Sequence, residues 1–231
     1  MSRTRASRKA WWWLPVAAAV CWGVYTLAAG QPPTASSTPP AQTSVTAASP
    51  TTPILVLLDT ISVAPDGPGD GYSRTLFSLW SDPDHNGCDA RNDTLRRDLA
   101  DPVARDNTHN CVIIAGILND PYTGQTVQFD KAHADQAPVD HIVPLALAWR
   151  HGASQWDQDT RMRFGNDPAE LQITTRQANT SKGDSGPSRW LPPNPDYWCT
   201  YATRYVNILA TWSLTVNQAD KDTLNQVLQN C

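Results

Sequence analysis

The chain has 231 residues, with 18 Lys and Arg against 22 Asp and Glu, a formal net charge of −4. That length accommodates one ordinary domain with appendages. The acidic balance excludes a protein whose hold on nucleic acid rests on a broadly basic surface, and argues against tight, sequence-specific binding; weak, local binding around a metal stays open.

Arg3, Arg5, Arg8 and Lys9 precede an uncharged apolar run over residues 11–29. With the small residues of Leu27-Ala28-Ala29-Gly30 after it, this reads as a signal peptide over residues 1–30. The run falls just short of the roughly 20 residues that span a bilayer, so an uncleaved N-terminal membrane anchor is the alternative. Either way the remainder is exported, secreted or otherwise extracytoplasmic. Removing residues 1–30 takes away four basic and no acidic residues, leaving 14 against 22, a net of −8. Residues 31–53 are almost entirely Pro, Thr, Ser and Ala, a linker without the apolar content for a core. The domain proper is residues 54–231.

Residues 54–63 are rich in β-branched side chains and predict a strand, followed by a Gly- and Pro-rich break at 66–71. Residues 72–80 predict a helix with Leu76, Phe77 and Trp80 inward, and 82–87 a turn. Residues 89–99 carry opposite charges three and four apart, the pattern of a solvated helix. Residues 112–118 predict a buried strand and 125–129 its return. The intervening Asn119-Asp120-Pro121-Tyr122-Thr123-Gly124 is read as a turn and nothing more. Residues 197–212 and 218–228 predict two helices whose apolar stripes serve packing. Cys88, Cys111, Cys199 and Cys231 allow three pairings in an oxidising compartment. Cys88–Cys111 and Cys199–Cys231 are favoured because each pair brackets a compact segment. No C-x-x-C supports a zinc site.

The chemistry concentrates in residues 139–184. Asp140-His141-Ile142-Val143-Pro144 puts a hard oxygen ligand beside a base that titrates near neutrality. Further on, Leu171-Gln172-Ile173-Thr174-Thr175 leads into Arg176, Asn179 and Lys182, spaced every third residue and expected on one face of a short helix. His141 is the candidate general base and Asp140 the candidate metal ligand; a helix-capping or histidine-orienting carboxylate is the competing reading of Asp140. Asn179 is the candidate second metal ligand, with a helix-surface amide as its competing reading, and an oxygen-only pair would favour Mg²⁺, with Mn²⁺ as an alternative. Lys182 is expected to hold the scissile phosphate or stabilise developing charge, and Arg176 to contact substrate. His85, His109, His133 and His151 lack such company, although His133 lies on an Asp-flanked loop.

These two motifs together resemble the HNH (ββα-metal) nucleases. Closer still are secreted bacterial proteins carrying the domain found at the C-terminus of GmrSD-type restriction enzymes. The resemblance covers about residues 72–231 and takes in Cys88-Asp89-Ala90-Arg91 and Asp120-Pro121-Tyr122-Thr123-Gly124. Arg91 is thereby a structural or a phosphate contact. Members of the family usually have an Asn nine residues before the metal-binding Asn; here Glu170 stands in that place, and Asn166, four residues earlier, is the candidate to orient His141.

The resulting expectation is an α+β domain with a ββα-metal element embedded among helices and held by two disulfides. Its function would be that of an exported metal-dependent endonuclease of low sequence specificity, acting on DNA or RNA, with DNA preferred. The family chemistry implies 5′-phosphate and 3′-hydroxyl products. Nothing in the sequence implies a stable protein partner. The alternative is an exported cell-envelope binding module that keeps the fold without cleavage.

Overall fold

The computed structural model describes residues 52–231; the expected leader or anchor, and all but the last two residues of the expected linker, lie outside the described residues. Residues 54–63, expected as a strand, fall mainly within helix α1 (Thr52–Thr60). Leu58 and Ile61 are buried three residues apart, and Ile54, Leu55 and Leu57 pack on the same core. Helical packing against the C-terminal helices thus outweighs the strand preference of the β-branched residues. Extended pairing survives only at Val63, which bridges Val216.

The helix expected over residues 72–80 shrinks to a single 3-10 turn, Arg74–Phe77, capped by Ser73. Ser78 and Trp80 adopt left-handed φ of 44° and 63°, which ends the helical ladder. Helix α2 (Ala90–Asp98) forms where the charge pattern placed it, with the Asp89 carboxylate capping Asn92 N at 2.8 Å. Strands β1 (Leu99–Ala104), β2 (Ile113–Asn119) and β3 (Thr126–Asp130) make an antiparallel meander. The β2–β3 hairpin matches expectation, with Ala115 opposite Asp130. Strand β1 is hidden in the sequence because Asp101-Pro102 reads as a turn; it is accommodated as an irregularity in a terminal strand of the sheet, with Asp101 at φ 50°.

A second, two-stranded sheet pairs β4 (Val139–His141) antiparallel with β5 (Leu171–Ile173). Between them lie α3 (Leu145–Arg150), with Pro144 as its N-cap residue, and α4 (Gln158–Gly165). Helix α5 (Arg176–Lys182) follows β5 directly, with Thr175 accepting from Ala178 N. Helices α6 (Trp198–Thr211) and α7 (Gln218–Gln229) close the domain. Their buried residues, including Tyr201, Tyr205, Leu209, Leu224 and Leu228, join one core with Phe77, Ile142, Val143 and Phe164. Full burial of each such side chain contributes about 1.5–3 kcal/mol.

The architecture is α+β with small sheets, and both expected disulfides are present. Cys88–Cys111 has Cα atoms 4.9 Å apart, and Cys199–Cys231 has them 5.7 Å apart. Each closes a loop worth about 3 kcal/mol of denatured-state entropy.

Candidate functional site

β4 is short and buried along its whole length, so Asp140 and His141 are held on a rigid backbone at 5 % and 3 % exposure. The strand ends at His141 and the chain bends before Pro144. Asp140 and His141 both line one cleft, of about 360 Å³, together with Asn179, Arg74, Tyr72 and Asp184.

Asp140 is fixed from two sides. Lys182 Nζ donates to Oδ1 at 3.0 Å and to Oδ2 at 2.8 Å, and the Tyr122 hydroxyl donates to Oδ2 at 2.8 Å. Lys182 spends its remaining donor on the His141 carbonyl at 2.6 Å and is 1 % exposed. The expectation that Lys182 meets substrate phosphate is therefore corrected: its ammonium is spent inside the fold. Arg176 pairs with Asp135 and does not line the cleft. Three-residue spacing drifts by about 60° per step around a helix, so Arg176 and Lys182 point about 120° apart. Asn179, between them, lines the cleft and makes no side-chain hydrogen bond with the described residues.

His141 Nε2 lies 2.9 Å from the Gly165 carbonyl oxygen. A carbonyl only accepts, so Nε2 carries the proton and Nδ1 keeps its lone pair. Nδ1 has no partner among the described residues, yet it is not among the polar atoms sealed from solvent. Burial lowers the imidazole pKa from its ordinary 6.5 to about 3, helped by the charges of Arg74 and Lys182 and opposed by the Gly165 hydrogen bond. The ring is neutral at working pH. Trp80 lies 6.2 Å from it, tilted by 30°, and the Arg91 guanidinium sits 5.9 Å from the Trp80 ring centroid. Arg91, left open between structural and phosphate contact, is thus stacked behind Trp80.

Asn166 does not orient His141. Its amide accepts from Ser81 N at 3.0 Å and donates to Ser78 O at 3.1 Å and Met162 O at 2.7 Å, binding residues 78–81 to the end of α4. The orienting group is the backbone carbonyl one residue earlier. Gly165 is required there: a Cβ would come within 2.9 Å of Phe77 Cβ and 3.0 Å of Phe77 O. Glu170 is fully buried behind β4, accepting from Val143 N at 3.0 Å through Oε1 while Oε2 has no partner. Burial pushes its carboxyl well above the ordinary range, which favours the protonated form; that form offers one acceptor and one donor, as an amide would.

The run from Asp120 to Gly124 is more than a turn. The buried Asp120 carboxylate accepts from Tyr122 N, Thr123 Oγ1, Thr174 Oγ1 and Thr175 N, fastening the hairpin to the β5–α5 junction. That positions Tyr122 against Asp140, in an aromatic cluster with Trp190 and Tyr201 at 5.4 and 5.8 Å. Trp190 covers α5 through Ser181 Oγ at 3.0 Å rather than lining the cleft. Of the other histidines, His133 is near Asp130 at 3.6 Å, and His151 lies between Asp66 and Thr215; neither lines the cleft.

The fold and site thus define an α+β domain with a neutral histidine, a braced carboxylate and an unpartnered amide around one cleft. Residues 89–227 match the C-terminal domain of GmrSD restriction endonucleases, and the chain belongs to that family. It is also 37 % identical over 177 residues to a protein of Arthroderma benhamiae described as an uncharacterized secreted protein, covering 76 % of this chain and 83 % of that one. That relative is fungal, so it does not carry the bacterial affinity suggested by the motifs. No solved structure matches. Among the described residues no helix is long and apolar enough to cross a membrane.

Proposed function

We propose that this protein is an exported, HNH-type endonuclease that hydrolyses phosphodiester bonds, DNA foremost, with low sequence specificity and a requirement for a divalent cation. The observation that carries it is His141: a neutral imidazole with its proton held on Nε2 by the Gly165 carbonyl and its Nδ1 lone pair unspent, in one cleft with Asp140 and Asn179. Nδ1 takes the proton of a water attacking phosphorus in line with the departing 3′ oxygen. A pKa of about 3 makes the free imidazole a weak base. A bound phosphodiester anion opposes the Arg74 and Lys182 charges and raises it, so base strength follows substrate occupancy.

The donor set fits a hard, loosely held cation. Asp140 Oδ1 accepts one hydrogen bond only, the Asn179 amide is unpartnered, and no sulfur lines the cleft. Among the described residues no three His, Cys, Asp or Glu side chains converge as a metal site, so Mg²⁺ or Mn²⁺ would rest on one carboxylate, one amide and water. Such an ion would neutralise charge on the scissile phosphate and the leaving oxygen. Tyr122 and Lys182 hold the Asp140 carboxylate in place, and Lys182 also fixes the His141 backbone. Export is supported by the basic-apolar leader pattern, the disulfides and the secreted relative.

One observation favours the second reading, an exported binding module without cleavage: Lys182 occupies both Asp140 oxygens with a cation the protein itself supplies. Nicking of a plasmid by the purified protein with Mg²⁺, and its loss in EDTA, separates the two.

A further inference from the structure

We propose that Arg74 is the residue that grips the phosphate backbone of the substrate in this cleft; the inference rests on the nuclease reading and assigns its anion contact. Substrate recognition needs a free cation, and the others near the site are taken. Lys182 is spent on Asp140 and the His141 carbonyl. Arg150 pairs with Asp184 at 2.6 Å, Arg176 with Asp135, and Arg91 stacks on Trp80 while donating to Ala134 O at 3.4 Å. Arg74 lines the cleft and makes no hydrogen bond or ion pair with the described residues.

The charge balance points the same way. Asp140, Asp184 and Arg74 are the acidic and basic residues lining the cleft beside His141, and each carboxylate already has its own cationic partner. Arg74 is left over, so a protein with an overall acidic balance presents local positive charge where a phosphodiester would sit. A guanidinium suits that ligand because its planar fork meets two phosphate oxygens at once.

Arg74 is also well placed mechanically. It opens the 3-10 turn Arg74–Phe77, whose last residue is fully buried 6.1 Å from the Phe164 ring. The turn packs on Gly165 so closely that a Cβ there would strike Phe77. The backbone carrying the phosphate contact is therefore seated on the residue whose carbonyl orients His141. Arg74 precedes the span matched by the family, which begins at residue 89.

The test uses the exported full-length protein with a single-stranded oligonucleotide as substrate. Arg74→Gln should weaken oligonucleotide binding about 10-fold or more, the scale of one charged hydrogen-bonded contact, and reduce the salt slope of binding by about 0.7. Arg74→Lys should fall between, and Arg105→Gln, which removes the same charge from an arginine outside the cleft, should match wild type. Unchanged affinity and slope in Arg74→Gln would overturn the assignment while leaving cleavage by His141 intact. If wild type neither binds nor cleaves nucleic acid, the nuclease reading falls, and titration with dimethyl phosphate decides Arg74 separately. Binding lost in Arg74→Gln upholds an anion site; equal binding in both, or none in wild type, removes it.

Discussion

Lys182 donates to both carboxylate oxygens of Asp140, at 3.0 and 2.8 Å, with both side chains withdrawn from solvent. A buried pair of this kind is costly to break from one side, because the surviving charge has no partner. Lys182→Met should therefore destabilise the fold by about 3–5 kcal/mol, read from chemical denaturation. A surface lysine devoted to substrate would instead leave stability unchanged and lower only the affinity for nucleic acid.

Gly165→Ala should damage cleavage without touching any side chain of the site. The new methyl would meet Phe77, displacing either the carbonyl that holds His141 or the turn that carries Arg74. Kinetics should show kcat falling at least about 10-fold in a protein that still melts cooperatively. Wild-type kcat in this variant would show that the Gly165 carbonyl does not orient the base.

Asp140-His141 and Asn179 stand out in the sequence as candidates because the chemistry sits in the residue types, and the pairing of β4 with β5 brings α5 to the same cleft. What is not legible is commitment. A lysine's charge can be read, but whether it is spent inside depends on Asp140 and Tyr122, 42 and 60 residues away in the chain. The Asp120–Gly124 run carries turn residues and is a turn, yet its Asp120 and Tyr122 side chains build the site, which local composition does not disclose. Helix α1 forms where β-branched composition favours a strand, because that propensity is a weak prior against packing on α6 and α7. The orienting group for His141 escapes motif reading altogether, being a backbone carbonyl. A glycine at the end of a helix, followed by Asn166, offered only a faint cue.

Stability should depend on pH through two buried groups acting in opposite senses. His141 has its folded pKa depressed to about 3, so the unfolded chain binds the extra proton first and stability is lost as pH falls from about 6.5 toward 3. Glu170 has its folded pKa raised, so stability is fully present below its unfolded value near 4.5 and declines as pH rises above it. Glu170→Gln keeps the acceptor and donor without ionising. Its melting temperature should exceed wild type at pH 8 and approach it near pH 4.5. A variant less stable than wild type at pH 8 would mean that the carboxylate is ionised and partnered.

Removing the Tyr122 hydroxyl should loosen Asp140 without exposing it. Tyr122→Phe should cost about 1–2 kcal/mol of stability and raise the Mg²⁺ concentration needed for half-maximal cleavage. An unchanged metal requirement would separate Asp140 from metal binding.

The central claim is that His141 is the base of a metal-dependent nuclease, and plasmid nicking by wild type and His141→Ala at saturating Mg²⁺ tests it most directly. Wild type should nick supercoiled DNA, stop in EDTA and recover when Mg²⁺ is restored, while a folded His141→Ala protein should be slower by at least about 10²-fold. Equal rates for the two proteins, or wild-type nicking that survives EDTA, would contradict the account.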